Sequence, residues 1–97
     1  MRPKTGTVYL LANRRHGTLY VGVTSDLVGR TRQHNDVTHA GFSTRYGVAR
    51  LVYAERHDRI ADAIAREKQL TKWTRAWKIR LIESVTPEWR ELFDARL

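Results

Sequence analysis

The chain has 97 residues, 41% of them hydrophobic, and carries 18 Lys and Arg against 10 Asp and Glu, for a formal net charge of +8. That composition is too apolar for a disordered polycation, and the length suits one domain, 1–97, burying somewhat over ~60% of its unfolded surface. The absence of cysteine excludes disulfide scaffolds, thiolate nucleophiles and thiolate zinc sites, and no apolar run matches a signal peptide or a membrane span, so a cytoplasmic protein with no membrane association is expected.

Thr7–Ala12 and Thr18–Val23 are runs of β-branched, aromatic and aliphatic residues and predict two strands. The polar segment Asn13–Gly17 between them predicts a hairpin with a five-residue connection. Thr24 or Ser25 is placed to cap a helix whose first turn holds Asp26 and which runs to about His34. A polar stretch from Asn35 to Gly47 follows, long enough to serve as a binding loop. Ala49–Glu55 predicts the third strand. From about Arg59 the spacing becomes helical, with Ile60, Ala63, Ile64, Leu70, Trp73 and Trp77 on one broad face and room for a break at Thr71–Thr74. Pro87 stops that run, and Glu88–Leu97 predicts a last short helix with Trp89, Leu92 and Phe93 turned inward. The order β-β-α-β-α-α predicts an α+β fold, a small three-stranded antiparallel sheet flanked by helices.

Several polar residues fall where periodicity asks for apolar ones. Leu27, Arg30, Thr31 and His34 share one face of the first helix, so a guanidinium and an imidazole lie beside the anchoring leucine. Glu67 falls among Ile60, Ala63, Ile64 and Leu70, near the middle of the apolar stripe. A carboxylate there is costly unless paired or coordinated, which leaves open a structural pair such as Glu67 with Arg30, a stripe edge that reaches water, or a ligand role. Pairing of residue 12 with residue 17 would set Tyr9 opposite Tyr20 with both phenols on one face, although filling a small sheet is the commoner role for strand aromatics. Trp73 and Trp77 are assigned to the core. Lys72, Arg75, Lys78 and Arg80 form either a solvated face or a phosphate-contacting one. His16, His34, His39 and His57 have no zinc-site spacing.

Taken together, these residues resemble the GIY-YIG nuclease superfamily, and most closely its small stand-alone bacterial members. Thr7-Val8-Tyr9 and Tyr20-Val21-Gly22 match the two strand motifs, with Thr7 in place of the first glycine. Arg30, followed four residues on by His34, matches the family's helix, and Glu67 within Ala65–Leu70 matches its metal-binding glutamate. The family asparagine C-terminal to that glutamate is missing; Thr86 is the nearest small polar residue.

The resemblance implies metal-dependent DNA endonuclease activity with one Mg²⁺ or Mn²⁺ ion, no small-molecule cofactor, weak sequence specificity and a place in DNA repair or processing. It implies Glu67 as the metal ligand, Arg30 as a phosphate contact and stabiliser of transition-state charge, and Tyr9 as general base with Tyr20 and His34 orienting or relaying the proton. A chain too short for a separate sequence-reading domain also leaves room for structure selectivity, such as a preference for branched or single-stranded DNA. Lys72, Arg75 and Lys78 join Arg30 as the expected DNA contacts. Two rivals stay open: a nucleic-acid-binding module without cleavage, which the missing asparagine suits, and an adaptor whose basic surface binds acidic proteins.

Overall fold

A computed structural model of the chain describes residues 4–27, 50–90 and 92. Strands β1 (Gly6–Ala12), β2 (Leu19–Thr24) and β3 (Arg50–His57) form an antiparallel sheet in the order β2-β1-β3, followed by helices α1 (Ile60–Lys72) and α2 (Arg75–Val85). This is the α+β arrangement expected. The predicted first helix beyond Leu27, with Arg30 and His34, the polar stretch Asn35–Gly47, and Phe93 lie outside the described residues.

Strand β1 is central and covered on both faces, which is why it reads as a nearly unbroken apolar run rather than an alternating one. Val8, Leu10 and Ala12 face α1 and α2, packing with Ala63, Leu70, Ile82 and Trp89, while Tyr9 and Leu11 face the other way with Leu51, Tyr20, Leu27 and Leu92. A bulge between Leu10 and Leu11 shifts the β3 register, pairing Leu10 with Tyr53 but Leu11 with Leu51. Three consecutive residues, Leu51, Val52 and Tyr53, are thereby all buried.

The hairpin departs from expectation in register. Its connection spans residues 13–18, so Tyr9 pairs with Gly22, and Tyr20 pairs with Leu11 rather than Tyr9. The displacement is by an even number of positions, so both tyrosines stay on one face. Asn13 explains the longer loop: its Oδ1 accepts the Thr18 amide at 2.8 Å and its own amide donates to the Thr18 carbonyl, closing the turn one residue later.

α1 lies close across β1. A Cβ on Gly6 would stand 2.8 Å from the Ala63 Cβ and 2.9 Å from the Ile60 Cα, so the helix approaches to a distance only glycine permits. The first orphan amide of α1, on Ile60, donates to the Lys4 carbonyl at 2.8 Å. The helical run does break, at Trp73-Thr74, where Thr74 caps α2 by accepting the Trp77 amide at 3.3 Å. This cap, rather than a proline or glycine, turns the chain.

Three further expectations are corrected. Ile64 is 38% exposed, because α1 meets the sheet along Ala63 and Leu70 and Ile64 lies about 100° round from Ala63; Trp77 is 53% exposed, because the corner at Thr74 swings α2 so that Ile82, not Trp77, points into the core. The predicted helix from Glu88 does not begin there: residues 87–90 form a turn in which Trp89 takes a φ of 59°. Trp89 is fully buried, as expected of its inward role; its indole donates to Glu83 at 2.8 Å and stacks on His16 at 5.1 Å. Those contacts hold a left-handed backbone that a bulky side chain disfavours. Among the described residues no helix is long and apolar enough to cross a membrane.

β3 is fastened to α1 by a polar cluster with no counterpart in the sequence reading. Glu55 accepts hydrogen bonds from Tyr53 (2.6 Å), His57 (2.6 Å) and Arg66 (3.1 Å), and the Arg66 guanidinium also sits 5.1 Å from the centre of the Trp73 ring. Burial pushes the Glu55 carboxyl up, but the three hydrogen bonds outweigh it and hold the group below its ordinary 4.5. The Tyr53 phenol is pushed up to about 12, first by burial and then by the hydrogen bond and charge of Glu55. A depressed carboxyl contributes stability above its unfolded value, and that contribution disappears as the pH falls through its folded value. Glu55→Gln is therefore expected to lower stability by about 2 kcal/mol at neutral pH and to lose less than the wild type on acidification below about pH 4.5. Urea unfolding across that range measures both effects; parallel pH profiles would assign the acid sensitivity elsewhere.

Candidate active site

The two motif tyrosines come together on the sheet face opposite α1. Their ring centroids are 6.4 Å apart with planes at 43°. Tyr9, on the central strand, is only 2% exposed, whereas Tyr20, on the edge strand β2, is half-buried. The phenol of Tyr9 lies across β2 at Gly22: a Cβ built there would run into the Tyr9 hydroxyl and ring tip and stand 2.8 Å from its Cε2. Gly22 is thus required by a side chain from the neighbouring strand. It lets the hydroxyl of a buried tyrosine reach the sheet edge.

Glu67 lies on the helix that crosses the other face of the sheet. Ala63 and Leu70 are fully buried and mark the line along which α1 touches the sheet. Arg66 and Glu67, about 100° apart around the helix, fall on opposite sides of that line. Arg66 points to β3, where it meets Glu55, so Glu67 is turned toward β2. The helix packs mainly on β1 and β2. The position is the margin of the apolar stripe and not its middle, because the outward turn of Ile64 moves the stripe toward Leu70.

The Glu67 carboxylate accepts a 2.7 Å hydrogen bond on Oε2 from Thr71, whose hydroxyl is also 2.8 Å from the Glu67 carbonyl. A half-buried carboxylate with one oxygen fixed and the other without a partner among the described residues suits a hard cation. Among the described residues no three His, Cys, Asp or Glu side chains gather as a metal cage. The donor set therefore fits an ion that keeps most of its shell as water and substrate oxygens, as Mg²⁺ does. At the end of β2 the Thr24 hydroxyl accepts the Asp26 amide at 3.0 Å in a local turn that precedes Leu27, the first helical residue described, so Thr24 does not occupy the cap position expected of it.

The basic residues divide. Lys72 is exposed and Lys78 half-buried on α1 and α2. Arg75, expected among them, is engaged elsewhere: its Nη2 donates to the carbonyls of His16 and Gly17, both at 2.6 Å, pinning the hairpin loop to the start of α2. Thr86, the stand-in for the family asparagine, is 5% exposed, and its hydroxyl accepts the Arg90 amide at 2.9 Å within the turn that seats Trp89.

The model of the GIY-YIG catalytic domain matches residues 5–80, a span that contains both tyrosine motifs, Gly22 and Glu67. The chain belongs to the GIY-YIG family, whose catalytic domain is a nuclease domain using divalent metal ions. Among curated proteins it is similar to the UPF0213 proteins of Staphylococcus aureus strains Mu3, Mu50 and COL, each 33% identical over 67 residues that cover 69% of this chain and 82% of theirs. No solved structure matches it significantly.

Gly22→Ala tests whether the edge geometry is needed. The added methyl forces the Tyr9 ring to shift in a packed face, so stability is expected to fall by about 1–3 kcal/mol and nuclease activity by more than about 10-fold. Thermal melts beside cleavage assays check this. Wild-type activity in the variant would show that the Tyr9 position is not constrained by residue 22.

Proposed function

We propose that this protein is a metal-dependent endonuclease that hydrolyses phosphodiester bonds in DNA with little sequence selectivity, in DNA repair or processing. The observation that supports the reading is the pair of phenols 6.4 Å apart on one sheet face, beside a helix whose geometry turns toward the β2 side a carboxylate with one oxygen unpartnered among the described residues. In this reading Tyr9 accepts the proton of the attacking water, and Tyr20 and His34 orient or relay it. Arg30 holds the phosphate through a bidentate contact and offsets the charge that develops in the transition state. Glu67 holds the Mg²⁺ or Mn²⁺ ion, with Thr71 fixing the carboxylate's orientation. The ion would supply Lewis-acid polarisation of the phosphate and assistance to the leaving oxygen. Lys72 and Lys78 contact the DNA backbone, with Arg75 contributing mainly by holding the hairpin loop.

One observation favours binding without cleavage: Thr86, in place of the family asparagine, is buried with its hydroxyl committed to a turn. Cleavage across a panel of duplex, branched and single-stranded DNA, with and without Mg²⁺ or Mn²⁺, decides between the two. For the nuclease, Tyr9→Phe is expected to reduce turnover by about 10²- to 10⁴-fold while DNA affinity and fold persist, and Tyr20→Phe to reduce it less. Full activity in Tyr9→Phe with loss in Tyr20→Phe would exchange their roles.

Glu67→Gln separates catalysis from architecture. Its contacts within the described residues are one hydrogen bond from Thr71, so the melting temperature should stay within about 0.5 kcal/mol equivalent of wild type while metal-dependent cleavage disappears. A loss of about 3–5 kcal/mol would mark it as half of a buried pair instead. The net charge of +8 further predicts duplex affinity that falls with salt, at a log-log slope of about −0.9 per phosphate neutralised. Salt-independent binding would favour an acidic protein partner.

A further inference from the structure

We propose that the corner between α1 and α2 is a stacking site for an unpaired nucleobase of single-stranded DNA. This inference deepens the nuclease reading and rests on it for the class of ligand. Trp73, Trp77, Arg80, Leu81 and Ser84 line an open cleft of about 320 Å³, of the size that holds one small planar ligand. Trp77 leaves 53% of its surface exposed there. The interior under this corner is already filled by Leu70, Ile82 and the half-buried Leu81, so the indole is not spent on the core.

The aromatic pair is held in place beforehand. Trp73 and Trp77 meet edge to face at 5.7 Å and 90°, and the Arg66 guanidinium, itself anchored on Glu55, lies 5.1 Å from the Trp73 ring centre. Little ordering is left for a ligand to impose. The occupant follows from chemistry and charge. An exposed indole offers a π-face, Arg80 in the lining offers a cation to the adjoining phosphate, and the chain as a whole carries +8. Bases in a duplex have both faces covered by their neighbours, so only an unpaired base is able to stack on the indole. An acidic peptide would satisfy Arg80 and leave the aromatic surface unused.

The test compares affinities of the full chain for a (dT)₂₀ oligonucleotide and for a 20-base-pair duplex, by fluorescence anisotropy in metal-free buffer. Trp77→Ala is expected to weaken (dT)₂₀ binding about 10-fold and duplex binding less than about 2-fold, with Trp77→Phe close to wild type. The wild-type indole emission should be quenched by (dT)₂₀ and persist unquenched with duplex. Equal losses on both DNAs, or no loss on (dT)₂₀, would overturn the stacking site while leaving the nuclease reading intact if the duplex is still bound and cut. Absence of salt-dependent binding to either DNA would overturn both. Concentration-dependent self-association of the wild type that Trp77→Ala abolishes would assign the cleft to a second copy of the chain and likewise overturn the proposal. Circular dichroism of each variant verifies the fold, and Arg80→Gln, which leaves both rings in place, gives a second route: it should weaken (dT)₂₀ binding by several-fold.

Discussion

The contact on which the rest of this molecule depends is the close approach of α1 to β1, where Gly6 meets Ile60 and Ala63. With the helix lying that near, the ridge between Ala63 and Leu70 becomes the line of contact, and every other residue of α1 takes its direction from it. Arg66 is sent to the β3 edge and Glu67 to the β2 edge by nothing more than the angle between neighbouring helical positions. One arm of this divergence is structural, since Arg66 neutralises Glu55 and steadies Trp73. The other arm turns a carboxylate toward the β2 side of the helix.

The sheet acts as a partition with the candidate chemistry at its rim. A hydroxyl on one face and a carboxylate on the other are able to approach each other only past an edge strand, and β2 is such a strand. Gly22 leaves out the side chain that would block the Tyr9 phenol, and the Thr24 hydroxyl accepts the Asp26 amide in the turn directly beyond the edge. An edge strand is ordinarily a liability for unwanted pairing. Here it carries Tyr20 and the glycine against which the Tyr9 phenol lies.

What could be read from the sequence follows from how local each signal is. The strands were legible because β-branched and aromatic runs have one common use, and the pairing of the two tyrosines on a face survived a wrong register because side-chain direction has a period of two. The hairpin register itself depended on one Asn13 side chain capturing Thr18, which no periodicity reports. Trp77 was misplaced because a helical wheel drawn through Thr74 assumes a single axis, and the threonine cap starts a new one. Trp89 was placed inward for the wrong reason: it is buried by a left-handed turn and by Glu83 and His16, not by a helical stripe. The Glu55 cluster was invisible, since its members become neighbours only when β3 and α1 pack together. The motif residues Tyr9 and Tyr20 stand out as polar groups on an apolar sheet face, and Glu67 as a carboxylate on the wheel's apolar stripe, although in the fold it lies at that stripe's margin. Gly22 stood out only as part of a motif; the reason for it lies in a ring from another strand.

The distribution of positive charge has the same dependence on packing. Sequence counts Arg50, Arg66 and Arg75 equally with the lysines as sources of electrostatic attraction for a polyanion. In the fold each of the three donates hydrogen bonds to protein oxygens: Arg50 to the Trp89 carbonyl, Arg66 to Glu55 and Gln69, and Arg75 to His16 and Gly17. Guanidinium groups suit this work because several donors in a fixed plane satisfy two acceptors at once. Their charge still contributes to the long-range field, but their side chains are held in place by these bonds, whereas Lys72 and Arg80 lie exposed on α1 and α2. The arginines that tie hairpin, strand and helix together thus set the frame. The less constrained cations lie around it.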